Sequence, residues 1–141
     1  MDAMSGANLS GVNFSGVILE ISALQKTNFS RANFRNARIT SVMMQDAIFE
    51  GADLSGAHIL ESSLNCVNFR NANLEGVDFY RSGLYYTDLE GANIRNAYLG
   101  ESDLMGVNLR NANIEGVSLN SYNTRDVIMP DGEIITMLTG E

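Results

Sequence analysis

Cysteine, histidine and basic residues are all scarce in this sequence, and each scarcity excludes a class of chemistry. The single cysteine, Cys66, cannot form an intrachain disulfide, so nothing calls for an oxidising compartment and a reduced cytoplasm is the expected setting. One thiol and one imidazole, His58, are too few to build a metal centre or a nucleophile with its base, so no cofactor, no metal and no catalytic residue is expected. Nine basic residues stand against seventeen acidic ones, a net charge of −8, which argues against direct nucleic-acid binding because phosphate backbones require clustered Lys and Arg. No stretch approaches the roughly 18 apolar residues of a membrane span. The opening Met1-Asp2-Ala3-Met4-Ser5-Gly6 lacks a basic region followed by an apolar run, and the chain reads as soluble and untargeted. Its 141 residues fit one domain with a core of useful size.

What the sequence does have is a period of five. From Ala7-Asn8-Leu9-Ser10-Gly11 to Val117-Ser118-Leu119-Asn120-Ser121 the register runs through 23 units without insertion or deletion. The third position is apolar in every one: 12 Leu, 6 Phe, 4 Ile and Met44. The first position is held to small residues, 10 Ala, 7 Val, 4 Ser and 2 Thr. A helix of 3.6 residues per turn cannot keep such positions on one face, and an ordinary strand alternates by two. Neither simple element explains the pattern.

The unit resembles that of the pentapeptide-repeat family, which runs small residue, Asn or Asp, Leu or Phe, polar residue, Gly; Ala52-Asp53-Leu54-Ser55-Gly56 is a full match. The resemblance covers residues 7–121. It implies an all-β, right-handed quadrilateral β-helix in which each unit forms one side, four make a coil, and the third and first residues point inward. Twenty-three units then give about 5.75 coils.

Sorting the units into four columns at a spacing of 20 residues tests that winding on the sequence itself. On the first two sides, which begin at Leu9 and Phe14, the fifth position is Gly or Asn in 11 of 12 units, whereas only Gly106 does so among the 11 units of the other two. Gly and Asn tolerate positive φ, so the first two sides are predicted to end in left-handed corners while the other two turn differently. Asn or Asp fills the second position in 11 of 12 units on the first two sides and in 2 of 11 on the others. Charges agree with the stacking: Glu50, Arg70, Glu90 and Arg110 alternate at intervals of 20, as do Glu75, Arg95 and Glu115. Like charges in a column would repel, so the alternation favours this register.

The expected organisation is a short lead-in over 1–6, the repeat over 7–121, and a cap over 122–141. In the cap, Val127-Ile128-Met129 and Ile134-Ile135-Thr136-Met137-Leu138 flank the turn sequence Pro130-Asp131-Gly132, which predicts a hairpin or an extended segment over the final coil. The lead-in is too short to bury the first coil, which suggests an end-to-end homodimer.

His58 and Cys66 are expected to face solvent on different sides in structural or neutral roles. The outward positions of the third and fourth sides are unusual, because Ile18, Ile21, Met43, Leu60, Tyr80, Tyr85, Tyr86, Tyr98 and Met105 replace polar residues there. Aromatic and Met side chains are enriched at contact surfaces, which marks this group as a candidate protein-binding face; the alternative is that they pack along neighbouring coils. The preferred reading is a non-enzymatic interaction scaffold for an unknown protein partner. The family resemblance implies a second one, an acidic mimic of duplex DNA that binds DNA gyrase or topoisomerase IV. Against it, the outward charge of the first two sides nets −1, that of the other two −3 and that of the ends −4, whereas a mimic should concentrate its negative potential in one stripe.

Overall fold

The computed structural model describes residues 4–120 and 123–136. The chain winds as a right-handed quadrilateral β-helix in which positions 20 residues apart lie in adjacent layers. Parallel bridges join Asn8 to Asn28, Asn28 to Ile48, Ile48 to Asn68, and so on around all four sides. On the third side the bridges lengthen into three stacked strands, β1 (Ile18–Glu20), β2 (Arg38–Thr40) and β3 (His58–Leu60), paired in parallel with Ile18 against Arg38 and Arg38 against His58. Among the described residues no helix is long and apolar enough to cross a membrane.

The five-residue unit explains its own hydrogen bonding. The third residue donates its N–H to the coil ahead, as Phe49 does to the Asn68 carbonyl at 2.7 Å, and the second residue donates to the coil behind, as Asn68 does to the Ala47 carbonyl at 3.0 Å. At most corners the third residue's carbonyl accepts the N–H of the next unit's first residue, as in Ala52 to Phe49 at 3.0 Å. Asn and Asp at the second position add an Asx-type bond: Asn33 Oδ1 accepts the Arg35 N–H at 3.0 Å and Asn68 Oδ1 that of Arg70 at 2.9 Å.

The corners depart from the sequence expectation. In place of left-handed residues on the first two sides only, the fifth position has positive φ on all four, including Lys26 at 59°, Ser41 at 56°, Glu61 at 51°, Cys66 at 59° and Tyr86 at 56°. Each side must bend by the same amount to close a square coil, so stacking imposes the conformation on residues that do not favour it. What distinguishes the third side is its closing bond. The Leu19–Ser22, Ile39–Val42 and Ile59–Ser62 bonds are missing among the described residues, whereas Ser82 N–H reaches the Phe79 carbonyl at 3.0 Å and Ser102 N–H that of Leu99 at 3.2 Å. Those three open corners follow β1, β2 and β3.

Hydroxyls close one of the open corners and take one end of another. The Ser82 hydroxyl donates to the Ile59 carbonyl at 2.8 Å and accepts the Ser62 N–H at 3.2 Å, so a side chain one coil ahead takes both ends of the missing bond. Ser62 Oγ likewise accepts the Val42 N–H at 3.1 Å. The corresponding sequence signal is the column Ser22, Ser62, Ser82 and Ser102, interrupted only by Val42.

Every third-position residue from Leu24 to Leu109 is buried, and those of the first coil, Leu9, Phe14 and Leu19, pack half-buried at its edge. Phenylalanines stack in the columns: Phe29 on Phe49 at 4.9 Å between centroids and Phe49 on Phe69 at 5.2 Å along the first side, Phe14 on Phe34 at 4.9 Å along the second.

The winding continues past residue 121. Asn123 bridges Asp103, Thr124 is buried in the inward position with its hydroxyl donating to the Leu119 carbonyl at 2.8 Å, and Asp126 makes a corner with φ 55°. A polar inward residue hides this twenty-fourth side from the apolar pattern. Ile128 then bridges Asn108, so the helix completes six coils rather than 5.75 and starts a further side. β4 (Val127–Ile128) turns through Pro130-Asp131-Gly132 into antiparallel β5 (Ile134–Ile135), which extends the first side by one strand. At the other end Met4 and Gly6 are already in register, with Gly6 N–H donating to the Gln25 carbonyl at 3.0 Å. Residues 1–3 of the expected lead-in, Ser121 and Tyr122, and Met137 and Leu138 of the expected cap lie outside the described residues.

Candidate protein-binding surface

With the first and third residues turned inward, the second and fourth must point out and the fifth must ride the corner. The nine outward candidates therefore fall into columns, and the columns do not form a single patch. Ile18 and Ile21 lie on the first coil, 65% and 87% exposed. Met43 stands apart on the fourth side, its sulfur 3.8 Å from Gln25 Nε2. Leu60, Tyr80 and Tyr98 gather on the third side over the third to fifth coils. Tyr85 and Met105 are stacked on the fourth side, with Tyr86 at its corner. These last six residues form the aromatic surface.

Two of the rings are seated on glycines. A Cβ at Gly100 would lie 2.2 Å from the Tyr98 hydroxyl and 2.3 Å from Tyr98 Cζ, and a Cβ at Gly106 would lie 2.4 Å from Tyr86 Cδ1. Tyr98 thus reaches across the backbone into the place where a residue 100 side chain would stand, next to Tyr80, whose ring centroid is 6.4 Å away with the planes 23° apart. At a third glycine, Gly83, an added Cβ would meet Asn65 Oδ1 at 3.3 Å and would touch Tyr85 only at an ordinary 3.7 Å. Tyr86 and Tyr98 stay 61% and 56% exposed while lying over these glycines. Sequence reasoning finds the tyrosines but not their seats. The signal is present for Gly100, which stands at a fourth position where no left-handed corner requires glycine, but not for Gly106, a corner glycine with φ 73°. Gly100→Ala is therefore expected to leave the melting transition close to wild type while swinging Tyr98 away from Tyr80; unchanged aromatic ring resonances for Tyr98 in NMR spectra would contradict this seating.

A charged ridge follows the corner between the third and fourth sides. Arg81 lies with its guanidinium 5.2 Å from the Tyr80 ring centroid and its Nε 2.7 Å from Glu101 Oε2. The hydrogen bond from Arg81 holds the Glu101 carboxyl below the ordinary glutamate range, and the same bond raises the Arg81 guanidinium. Both groups are open to solvent, so the pair adds little to stability. His58 is exposed one coil before Asp78, with Nδ1 3.6 Å from Asp78 Oδ2, and Cys66 is exposed at a fourth-side corner. Among the described residues no group of three or more His, Cys, Asp or Glu is placed to hold a metal ion.

The family model for pentapeptide repeats matches eight copies, over residues 22–56, 62–99 and 84–120. The chain belongs to the pentapeptide-repeat family. Among solved pentapeptide-repeat structures, Rfr23 from the cyanobacterium Cyanothece 51142 is similar over 84% of this chain and 89% of its own, at 23% identity and a TM-score of 0.57, and shares the fold. HetL from the cyanobacterium Nostoc sp. strain PCC 7120, described as involved in heterocyst differentiation regulation, aligns at 25% identity over 93% of this chain and 63% of its own, with a TM-score of 0.43. A trypsin-treated form of QnrB1, a plasmid-mediated fluoroquinolone resistance protein, aligns at 19% identity over 89% of this chain and 79% of its own, with a TM-score of 0.49. No curated protein matches the sequence.

Proposed function

We propose that this pentapeptide-repeat protein is a non-enzymatic scaffold that docks a protein partner on the third and fourth sides of its C-terminal half, through Tyr80, Tyr85, Tyr86, Tyr98 and Met105. The observation that carries this reading is the seating of Tyr98 over Gly100 and Tyr86 over Gly106, which brings large aromatic faces to the surface and leaves them exposed. An aromatic anchor with few rotamers left to lose gives up little entropy on binding, and such residues dominate interface energetics.

Mimicry of duplex DNA toward gyrase or topoisomerase IV has less support from the charges. On the first two sides Arg70 lies 3.4 Å from Asp88 and 3.5 Å from Glu90, Arg95 lies 3.4 Å from both Glu75 and Glu115, and Arg35 lies 3.9 Å from Asp53. These pairs interrupt the negative stripe that a mimic requires.

The test is a pull-down from the source cells with wild-type bait beside a Tyr86→Ser/Tyr98→Ser double variant. The expected result is recovery of the wild-type partner reduced by about tenfold or more with the melting transition retained. Undiminished capture would defeat the docking reading, and loss of the fold would show that the rings serve packing instead.

A further inference from the structure

The third and fourth sides do not carry charge evenly along the rod. Over the first two coils Glu20 and Asp46 are matched by Lys26 and Arg38. From His58 to Gly106 the same two sides carry Glu61, Asp78, Glu101 and Asp103 against Arg81 alone. The acidic excess therefore falls on the stretch that bears Leu60 and the exposed tyrosines, while the neighbouring two sides neutralise many of their carboxylates internally through Arg35, Arg70 and Arg95.

Within the aromatic stretch the cations already present are engaged, and Arg125 reaches it from the coil ahead with Nη2 3.3 Å from the Met105 sulfur. Arg81 is bonded to Glu101 at 2.7 Å and lies over Tyr80, and Asp78 faces His58 at 3.6 Å. Asp103 has no cationic group within 4.0 Å among the described residues, and Glu61 is reached by Arg81 only at longer range, since Arg81 is bonded to Glu101 on the other side. Arg81 on Tyr80 also shows how a guanidinium is received on this surface: over a ring face, with a carboxylate beside it. Tyr86 and Tyr98 offer exposed ring faces of the same kind, each lying over a glycine.

We infer that the partner's docking segment is cationic, a peptide stretch whose Arg or Lys side chains lie on the faces of Tyr86 and Tyr98 and complement the carboxylates of Glu61 and Asp103. The inference rests on the protein-docking reading above and adds to it the chemistry of the occupant. Opposite charges across a contact steer encounter and select partners, and their effect weakens with salt because these carboxylates are solvent-exposed.

The experiment uses the full chain, isotopically labelled, with three synthetic decapeptides: one alternating Arg and Ser, its analogue with citrulline in place of Arg, and one alternating Glu and Ser. The Arg peptide is expected to shift the amide resonances of residues 78–86 and 98–106. Its affinity should exceed that of the citrulline peptide by about tenfold, fall by about tenfold between roughly 0.05 M and 0.3 M salt, and fall by a similar factor in a Glu61→Gln/Asp103→Asn variant. Both substitutions are on solvent-facing side chains, so folding is retained. If the Arg peptide instead shifts resonances of the first two sides, or binds the double variant as tightly as wild type, the attraction is only that of an acidic protein for any cation and the inference fails. The outcomes also separate the two levels. A natural partner lost in Tyr86→Ser/Tyr98→Ser but bound undiminished by Glu61→Gln/Asp103→Asn at high salt would overturn the cationic chemistry and leave the docking surface standing; a partner indifferent to both variants would overturn both.

Discussion

Replacing Phe49 by Ala is expected to destabilise the protein by about 3–5 kcal/mol. Phe49 is fully buried, and its ring contacts three others: Phe29 at 4.9 Å, Phe69 at 5.2 Å and, edge-on, Phe34 at 5.4 Å. Truncation removes the transfer energy of the ring and leaves a cavity that the layers on either side cannot close, because each is pinned by its backbone bonds to the next. For a chain of this size the loss corresponds to a drop in melting temperature on the order of 10 °C. Phe49→Leu should cost much less, about 1–2 kcal/mol, since Leu89 and Leu109 fill the same column without disturbing the coil. Thermal unfolding followed by circular dichroism measures both. A Phe49→Ala protein that melts with wild type would mean that the first-side column is not the axis of the core.

Ser82→Ala should cost about 2–4 kcal/mol, far more than removing one oxygen from a side chain usually does. The Ser82 hydroxyl is buried, and its removal orphans two groups together: the Ile59 carbonyl, which accepts from it at 2.8 Å, and the Ser62 N–H, which donates to it at 3.2 Å. Each unsatisfied buried group costs about 1–3 kcal/mol, and the open corner gives neither an alternative partner. The natural comparison lies within the chain. Val42 occupies the same column and supplies no hydroxyl to the Leu19–Ser22 corner, but Ser22 is half-buried beside the exposed Ile21, where water can reach the unpaired groups. Chemical denaturation of Ser82→Ala and Ser82→Thr separates the explanations: Thr keeps the hydroxyl and should recover most of the loss. Equal destabilisation by both would point to crowding in the column and remove the hydroxyl from the account.

The winding is legible because it is written as a repeat. A third position that is always apolar and a first position that is always small can only be inward positions, and the alternation of Glu with Arg at intervals of 20 fixes the stacking from spacing alone. Arg70–Glu90 and Arg95–Glu75 are pairs in those columns, while Arg70–Asp88 and Arg35–Asp53 run diagonally. Corner conformation escapes the sequence for an instructive reason. Gly and Asn mark places where a left-handed residue is easy to accommodate, but residues such as Glu61, Arg81 and Glu101 are held left-handed too, with φ of 51°, 55° and 53°, because closure of the coil requires it. Their side chains stack along the corner as an alternating acid–base column. Thr124 escapes as an inward residue because the pattern recognises only apolar ones there, although a buried hydroxyl with a carbonyl partner fits as well.

The candidate surface is half legible. Tyr80, Tyr85, Tyr86 and Tyr98 stand out as departures from polar outward positions, but the same criterion also selects Ile18, Ile21 and Met43, which the stacking separates from the aromatic surface. What the amino-acid sequence determined alone was the period, the inward set and the coil-to-coil register, since each is a property of spacing along the chain. Tertiary structure decided how every corner turns, which hydroxyls replace missing backbone bonds, and which glycines lie beneath Tyr86 and Tyr98. Those outcomes depend on atoms brought together only when the coils stack, with Ser82 on Ile59 and Tyr86 on Gly106 as the clearest cases.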